Sequence, residues 1–208
     1  MSLAPIMNSE YQLEQAFWTP VVVARLARAA EINGPLETVI GQRRLTETGV
    51  QRSNVKGWHS DTTLTGWAAD AIRPVLDEVF ALADEHTFDT KAPDGRCPGW
   101  KVEAWANVSG RGAYNVPHFH PGHYWSAIYY VRVDEGSGGE LILFDPRLPV
   151  INMAAPRLRF RHNGGERSIV LQPEPGMLIL LPAWLQHSVS PWEGDGQRIS
   201  VAMNLKPR

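Results

Sequence analysis

Cysteine is nearly missing. Cys97 is the single one in 208 residues, so no disulfide can form within the chain, and thiolate-rich zinc and iron–sulfur sites are excluded. Long apolar runs are missing too: no stretch approaches the roughly 18 residues needed to span a bilayer. Residues Met1–Ser9 carry no basic segment leading into an apolar one. No membrane association is therefore expected, and the expected compartment is the cytoplasm. Nor is there an excess of one charge. Lys and Arg number 20 against 22 Asp and Glu, a formal net charge of −2, which leaves no basic field to attract nucleic acid. Internal repeats and low-complexity tracts are absent.

What is present is enough chain for one well-buried core, and a single domain over 1–208 is expected. Its front, 1–98, reads as helix and loop. Residues 10–33 suggest a helix with Thr19 as N-cap and Pro20 in the first turn, where a missing N–H costs nothing. Val22, Val23, Leu26, Ala29 and Ile32 follow at helical spacing, and Asn33-Gly34 marks the stop. Residues 35–60 read as loop with short extended pieces. Leu64 to His86 is the longest helical pattern, its apolar stripe running through Ile72, Val75, Leu76 and Val79, with a kink or split expected at Pro74. A turn-rich linker, 87–98, closes the front.

From Trp100 the period changes to two. Lys101–Val108, Tyr124–Val131, Glu140–Phe144, Leu158–Arg161, Arg167–Leu171, Met177–Leu181, His187–Pro191 and Arg198–Leu205 are eight strand candidates. Gly-rich stretches at 109–112, 134–139, 163–165 and 193–196 are expected to be hairpin turns. Over 99–208 this predicts a mainly β core, a jelly roll or double-stranded β-helix of cupin-like form, with the front helices packed on an outer face.

Two histidines, His118 and His120, stand one residue apart, and side chains at i and i+2 of an extended chain point to the same side. A third, His187, follows a turn at Pro175-Gly176, an apolar run and a bend at Pro182. That pattern brings a distant ligand to a preformed pair and suits a metal in the mouth of a jelly roll. His59, His86 and His162 have no such support, and His123 falls on the opposite face unless Pro121-Gly122 breaks the strand. Trp184 and Trp192 flank the third histidine and are expected in the core. In the last strand candidate, Arg198, Ser200, Ala202 and Asn204 share one face, while Ile199, Val201, Met203 and Leu205 share the other. If the polar face lines the mouth, Arg198 can clamp the far carboxylate of a dicarboxylate chelated to the metal.

These residues resemble the iron(II)- and 2-oxoglutarate-dependent oxygenases: His118-x-His120, the distal His187, and Arg198-x-Ser200 after it. The run from Trp105 to Asn204, with HFHPG, the DPR at Asp145–Arg147, PAWLQH and RISVAMN, is similar to a bacterial and phage branch of that superfamily. The resemblance implies Fe(II) and 2-oxoglutarate as cofactors, and decarboxylation of the keto acid to succinate and CO2 coupled to oxidation of a C–H bond. It also implies Arg198 and Ser200 as keto-acid contacts. The superfamily's common ligand set is His-x-Asp/Glu with a distal His, whereas His120 stands here in the carboxylate position. Either His118, His120 and His187 hold the iron, which we favour, or Asp145 supplies a carboxylate; the plainer role for Asp145 is a turn paired with Arg147. Asn107, Asn115, Tyr130 and Asn204 are candidates for orienting substrate or water, although polar groups at strand ends are commonly satisfied by backbone.

A cupin-like isomerase or a dioxygenase without a keto acid would need the same histidines but not Arg198. A non-catalytic metal-bearing jelly roll that binds a small ligand fits the fold equally. The expected partners are a small-molecule or peptide substrate, with no nucleic acid and no membrane, and a homodimer as the candidate assembly.

Overall fold

The computed structural model describes residues 17–154 and 167–208. Among these the elements in chain order are β1 (Val22–Arg25), α1 (Ala29–Thr46), β2 (Asn54–Val55), β3 (Trp58–His59), α2 (Leu64–Trp67), α3 (Ala69–Glu85), β4 (Trp100–Ser109), β5 (Tyr114–His118), β6 (Trp125–Val133), β7 (Leu141–Phe144), α4 (Leu148–Ala154), β8 (Ser168–Leu171), β9 (Met177–Pro182), β10 (His187–Val189) and β11 (Arg198–Pro207). They form two antiparallel sheets, a major one ordered β1-β9-β6-β11-β4-β3 and a minor one ordered β2-β5-β10-β7-β8. This is the expected double-stranded β-helix. The candidate strand Leu158–Arg161, the turn at 163–165 and His162 lie outside the described residues.

Alternation along the strands of the major sheet divides its two faces. Ala104, Ala106 and Val108 of β4 and Ile199, Val201, Met203 and Leu205 of β11 turn outward into one apolar cluster with the helices. The opposite parity turns inward, where Ile128, Tyr130, Ile179 and Leu181 meet Leu141 and Leu143 of the minor sheet. Helix α3 docks through Ile72, Val75, Val79 and Ala83, and α1 through Ile32, Leu36 and Ile40. The Tyr129 hydroxyl donates to Asn33 Oδ1 at 2.7 Å, fastening α1 to β6.

The front differs from its sequence pattern in three places. Val22–Arg25, expected inside a helix, is a strand paired with β9; the β-branched run there suits a pleated edge, and pairing with a formed sheet outweighs weak helical spacing. The Asn33-Gly34 stop is overridden. Helix α1 runs through it and through Pro35 to Thr46, into the stretch expected as loop, because Ile32, Leu36 and Ile40 recur at i, i+4 and i+8 and are all buried. The split expected at Pro74 falls instead at Ala68, whose φ of −122° and ψ of 27° separate α2 from α3. Pro74 sits on the solvent side of α3, as does Asp70, so water can satisfy the Asp70 carbonyl that loses its partner.

Three glycine-rich links expected as hairpins are arches between the sheets. Residues 109–112 join β4 to β5, residues 134–139 join β6 to β7, and residues 193–196 join β10 to β11, in each case strands of different sheets. At Gly138 (φ +81°) the Pro191 carbonyl oxygen occupies the space a Cβ would need, so the arch closes too tightly for any side chain. Trp192 is buried beside this arch, donating its indole N–H to Gly196 O at 3.1 Å, as expected of a core residue. Trp184 is not: it is 55% exposed, because it rides on the tight turn between β9 and β10.

The helix–sheet interface gives a direct test. Leu36→Ala should lower unfolding free energy by about 2–5 kcal/mol, the cost of an uncollapsed core truncation. Leu45→Ala, on the exposed side of the same helix, should change it by less than about 0.5 kcal/mol. Urea denaturation of the two variants checks the contrast.

Candidate metal centre

The minor sheet places the distal histidine opposite the first of the proximal pair. His187 opens β10 and is in register with His118 of β5 on one side and Leu143 of β7 on the other. His120 lies beyond the end of β5, so strand alternation alone does not aim it. Its backbone N–H donates to Ala183 O at 2.8 Å, tying it to the turn that carries His187. The ring centroids of His118 and His187 are 4.4 Å apart, those of His120 and His187 5.2 Å, and those of His118 and His120 5.1 Å. One ligand nitrogen from each ring lies within 4.8 Å of the others.

The hydrogen bonds around the rings select which nitrogen is free. His118 Nδ1 lies 2.7 Å from Val116 O, and His187 Nδ1 lies 2.8 Å from Leu185 O. A carbonyl can only accept, so both Nδ1 atoms carry the proton and both Nε2 lone pairs remain for a metal. His118 Nε2 has one weak neighbour, Ser53 Oγ at 3.4 Å, and Asn115 Nδ2 donates to that oxygen at 3.1 Å. Burial lowers the pKa of all three imidazoles. It holds His120 down at about 3, with His187, His118 and His123 adding repulsion, and His187 at about 4, with His118 adding to the effect. The neutral form that ligates a metal is therefore the resting form near neutral pH.

Asp145 stands apart from this group. It follows β7, and Arg147 closes on it with Nε 3.0 Å from Oδ1 and Nη2 2.8 Å from Oδ2. The Arg147 hydrogen bonds hold its carboxyl below the usual range, and both oxygens are engaged in the turn.

The three histidines share a cavity between the sheets with Asn107, Asn115, Tyr130, Arg198 and Ser200. Arg198 enters it from the major sheet, where it pairs with Ser109 and Val133. It is thus not a hairpin neighbour of His187 but faces it across the sandwich. Arg198 is 2% exposed. Its Nη2 donates to Ser109 Oγ at 3.1 Å, its Cζ lies 5.8 Å from the Tyr130 ring centre, and its Nε has no partner among the described residues. Burial lowers its pKa. No carboxylate among the described residues pairs with it, an arrangement that costs free energy unless an anion arrives. Asn204, on the same face of β11, is buried but does not line the cavity.

Sequence reasoning missed Ser53, Ser126 and Trp105, which also line the cavity. Trp105 leans on His120 at 5.9 Å between ring centres and stacks on His59 at 5.4 Å. Its inward parity with Asn107 on β4 was the available signal.

Comparison with known proteins agrees with this geometry. Residues 103–204 match the model of a family described as "Putative 2OG-Fe(II) oxygenase". Over these residues, just under half of the chain, the sequence is similar to the 2OG-Fe(II) oxygenases. No curated protein matches the chain in sequence. Among solved structures, a prolyl hydroxylase from Trichoplax adhaerens, in complex with a hypoxia-inducible-factor peptide, superposes with a TM-score of 0.63 at 12% identity, covering 89% of this chain and 82% of that one. A Pseudomonas putida prolyl-4-hydroxylase gives 0.61 at 15% identity, covering 91% and 94%. HygX from Streptomyces hygroscopicus, with nickel and 2-oxoglutarate bound, gives 0.58 at 13% identity, covering 91% and 83%. At these identities the likeness is one of fold. No helix among the described residues is long and apolar enough to cross a membrane.

His187→Ala should abolish stoichiometric binding of one divalent metal per chain, while Asp145→Asn leaves it near wild type, as measured by metal analysis after dialysis. The low imidazole pKa values also set a pH response. Between the unfolded value of about 6.5 and the folded values, the unfolded chain binds more protons, so stability of the metal-free protein is full above pH 6.5 and falls as pH drops toward 4. Denaturant midpoints across that range check it, and the His120→Gln variant should show a shallower fall.

Proposed function

We propose that His118, His120 and His187 hold Fe(II) through their Nε2 atoms, and that Arg198, assisted by Ser200, anchors the distal carboxylate of 2-oxoglutarate in an oxygenase that hydroxylates a C–H bond. The observation that carries this reading is the buried guanidinium without a carboxylate among the described residues, facing the same cavity as three neutral imidazoles. A facial set of three ligands leaves positions for a chelating keto acid and for dioxygen, which a closed tetrahedral zinc site would not. The donors fit the metal: two Nε2 lone pairs are preset by backbone carbonyls, and the third ring is fastened through its backbone. When bound, iron and the keto acid supply the oxidising chemistry, with decarboxylation to succinate and CO2.

The chain's own groups do the positioning. Arg198 offers a rigid fork for a carboxylate, and Ser109 Oγ fixes one arm of that fork. Ser200, two residues along the same face, is buried and lines the same cavity. Asn107 and Asn115 border the cavity and are placed to orient water or substrate. The substrate is a small molecule or peptide entering from the rim, and the expected compartment is the cytoplasm.

Anaerobic addition of Fe(II) and 2-oxoglutarate should produce a visible metal-to-ligand charge-transfer band, and aerobic turnover should release succinate. Arg198→Ala should weaken 2-oxoglutarate binding by roughly 30-fold or more, as loss of one partner from a buried charge pair does, with metal affinity nearly unchanged. Unaltered keto-acid affinity in that variant would sink the assignment of Arg198.

A further inference from the structure

Ser53 is not one of the metal ligands, yet it stands against one. Its Oγ lies 3.4 Å from His118 Nε2 and 3.1 Å from Asn115 Nδ2, and Ser53 and Asn115 both line the metal cavity. The direction of each hydrogen bond in this chain follows from its far end. Val116 O takes the His118 Nδ1 proton, so Nε2 is a bare acceptor and the Ser53 hydroxyl donates to it. The Ser53 oxygen is then left to accept, which makes the Asn115 atom beside it the amide nitrogen and fixes the orientation of that side chain. Backbone contacts hold the hydroxyl in place: Ser53 O accepts the Val116 N–H at 3.0 Å, and Asn54 pairs with Asn115 between β2 and β5. Ser53, Asn115 and His118 are each partly exposed, so this side of the cavity reaches solvent.

A metal on His118 takes the lone pair to which Ser53 donates in its absence. The hydroxyl then becomes a donor without an acceptor at the cavity wall beside the metal, and the N–H that Asn115 presents gives it nowhere to turn back. No Asp or Glu among the described residues lines the cavity to receive it. Charge points the same way. Three neutral imidazoles bring no negative charge to the metal, and a divalent ion and a doubly charged keto acid cancel each other, so the charge of the buried Arg198 guanidinium stays unmatched. An unmatched charge in a poorly solvated space costs free energy that an arriving anion recovers.

We propose that the substrate is a carboxylic acid whose carboxylate is received beside the metal by the Ser53 hydroxyl, with Asn115 holding that hydroxyl in its donating orientation. One unmatched positive charge calls for a single negative one, which a carboxylate supplies; a phosphate carries nearer two at neutral pH. The inference rests on the oxygenase reading above, because the charge that selects an anion is the one left over once metal and keto acid are bound.

The probe is acetate, with acetamide as its uncharged isostere, titrated at constant ionic strength into protein saturated with Co(II) and 2-oxoglutarate. Paramagnetic broadening of the probe's methyl proton signal reads both its affinity and its closeness to the metal, with the Zn(II) protein as the diamagnetic reference. Acetate should broaden saturably and acetamide should not. Ser53→Ala should weaken acetate binding by roughly tenfold, the worth of a hydrogen bond to a charged group, and Ser53→Thr, which keeps the hydroxyl, should restore it. Both variants should bind 2-oxoglutarate like the wild type. A tenfold rise in 2-oxoglutarate concentration should leave acetate affinity unchanged. Equal broadening of acetamide, wild-type acetate affinity in Ser53→Ala, or an acetate affinity that falls in proportion to added 2-oxoglutarate, which would put acetate at Arg198, would each overturn the proposal. If 2-oxoglutarate itself does not bind the Co(II) protein, the oxygenase reading falls and this inference falls with it.

Discussion

The structure depends on one constraint: an apolar sandwich must carry imidazoles and a guanidinium in the space between its sheets. The register that sets His187 opposite His118 meets half of it. In that register the two ring centres come within 4.4 Å of each other while backbone carbonyls take their Nδ1 protons, so each of these imidazoles is satisfied on one side and open on the other. A slip of one residue would turn His187 to the far face of the minor sheet and dissolve the cluster. The other half is met from the major sheet, whose central strand β11 sends Arg198 toward the same space.

This arrangement explains why the front of the chain is helical. The major sheet must be inward-polar at Arg198, Ser200 and Asn204, so its apolar residues are left on the outer face. That face would be a large exposed patch without cover. Helices α1 and α3 cover it, and the Tyr129–Asn33 hydrogen bond links one of them to β6, the strand whose inner face carries Ser126 and Tyr130 to the cavity. Stability on one side of the sheet thereby supports a polar, partly unsatisfied site on the other.

The ligand set changes the electrostatics of the cavity. Among the described residues no Asp or Glu lines it, and Arg198 is a buried positive charge. A site built this way favours anions.

The sequence by itself determined the pairing of His118 and His120 with His187, the inward parity of Arg198, Ser200 and Asn204, and the change of period near Trp100, because period-two alternation and ligand spacing are local properties. It also carried the α3 stripe, since apolar residues recurring at helical spacing need no partner to be read. The tertiary structure alone decided the rest. Val22–Arg25 became a strand only because β9 offers an edge, and α1 ran through Asn33-Gly34-Pro35 only because its buried positions face β6. The glycine links became arches because closing a β-helix sends successive strands to opposite sheets, which a turn motif cannot specify. Asp145 was consumed by Arg147, and Trp184 was carried to the surface by a turn. His123 was redirected toward Glu103 by the left-handed Gly122. Each of these outcomes depends on residues far away in sequence, and on the free energy of burying or pairing groups that no local pattern contains.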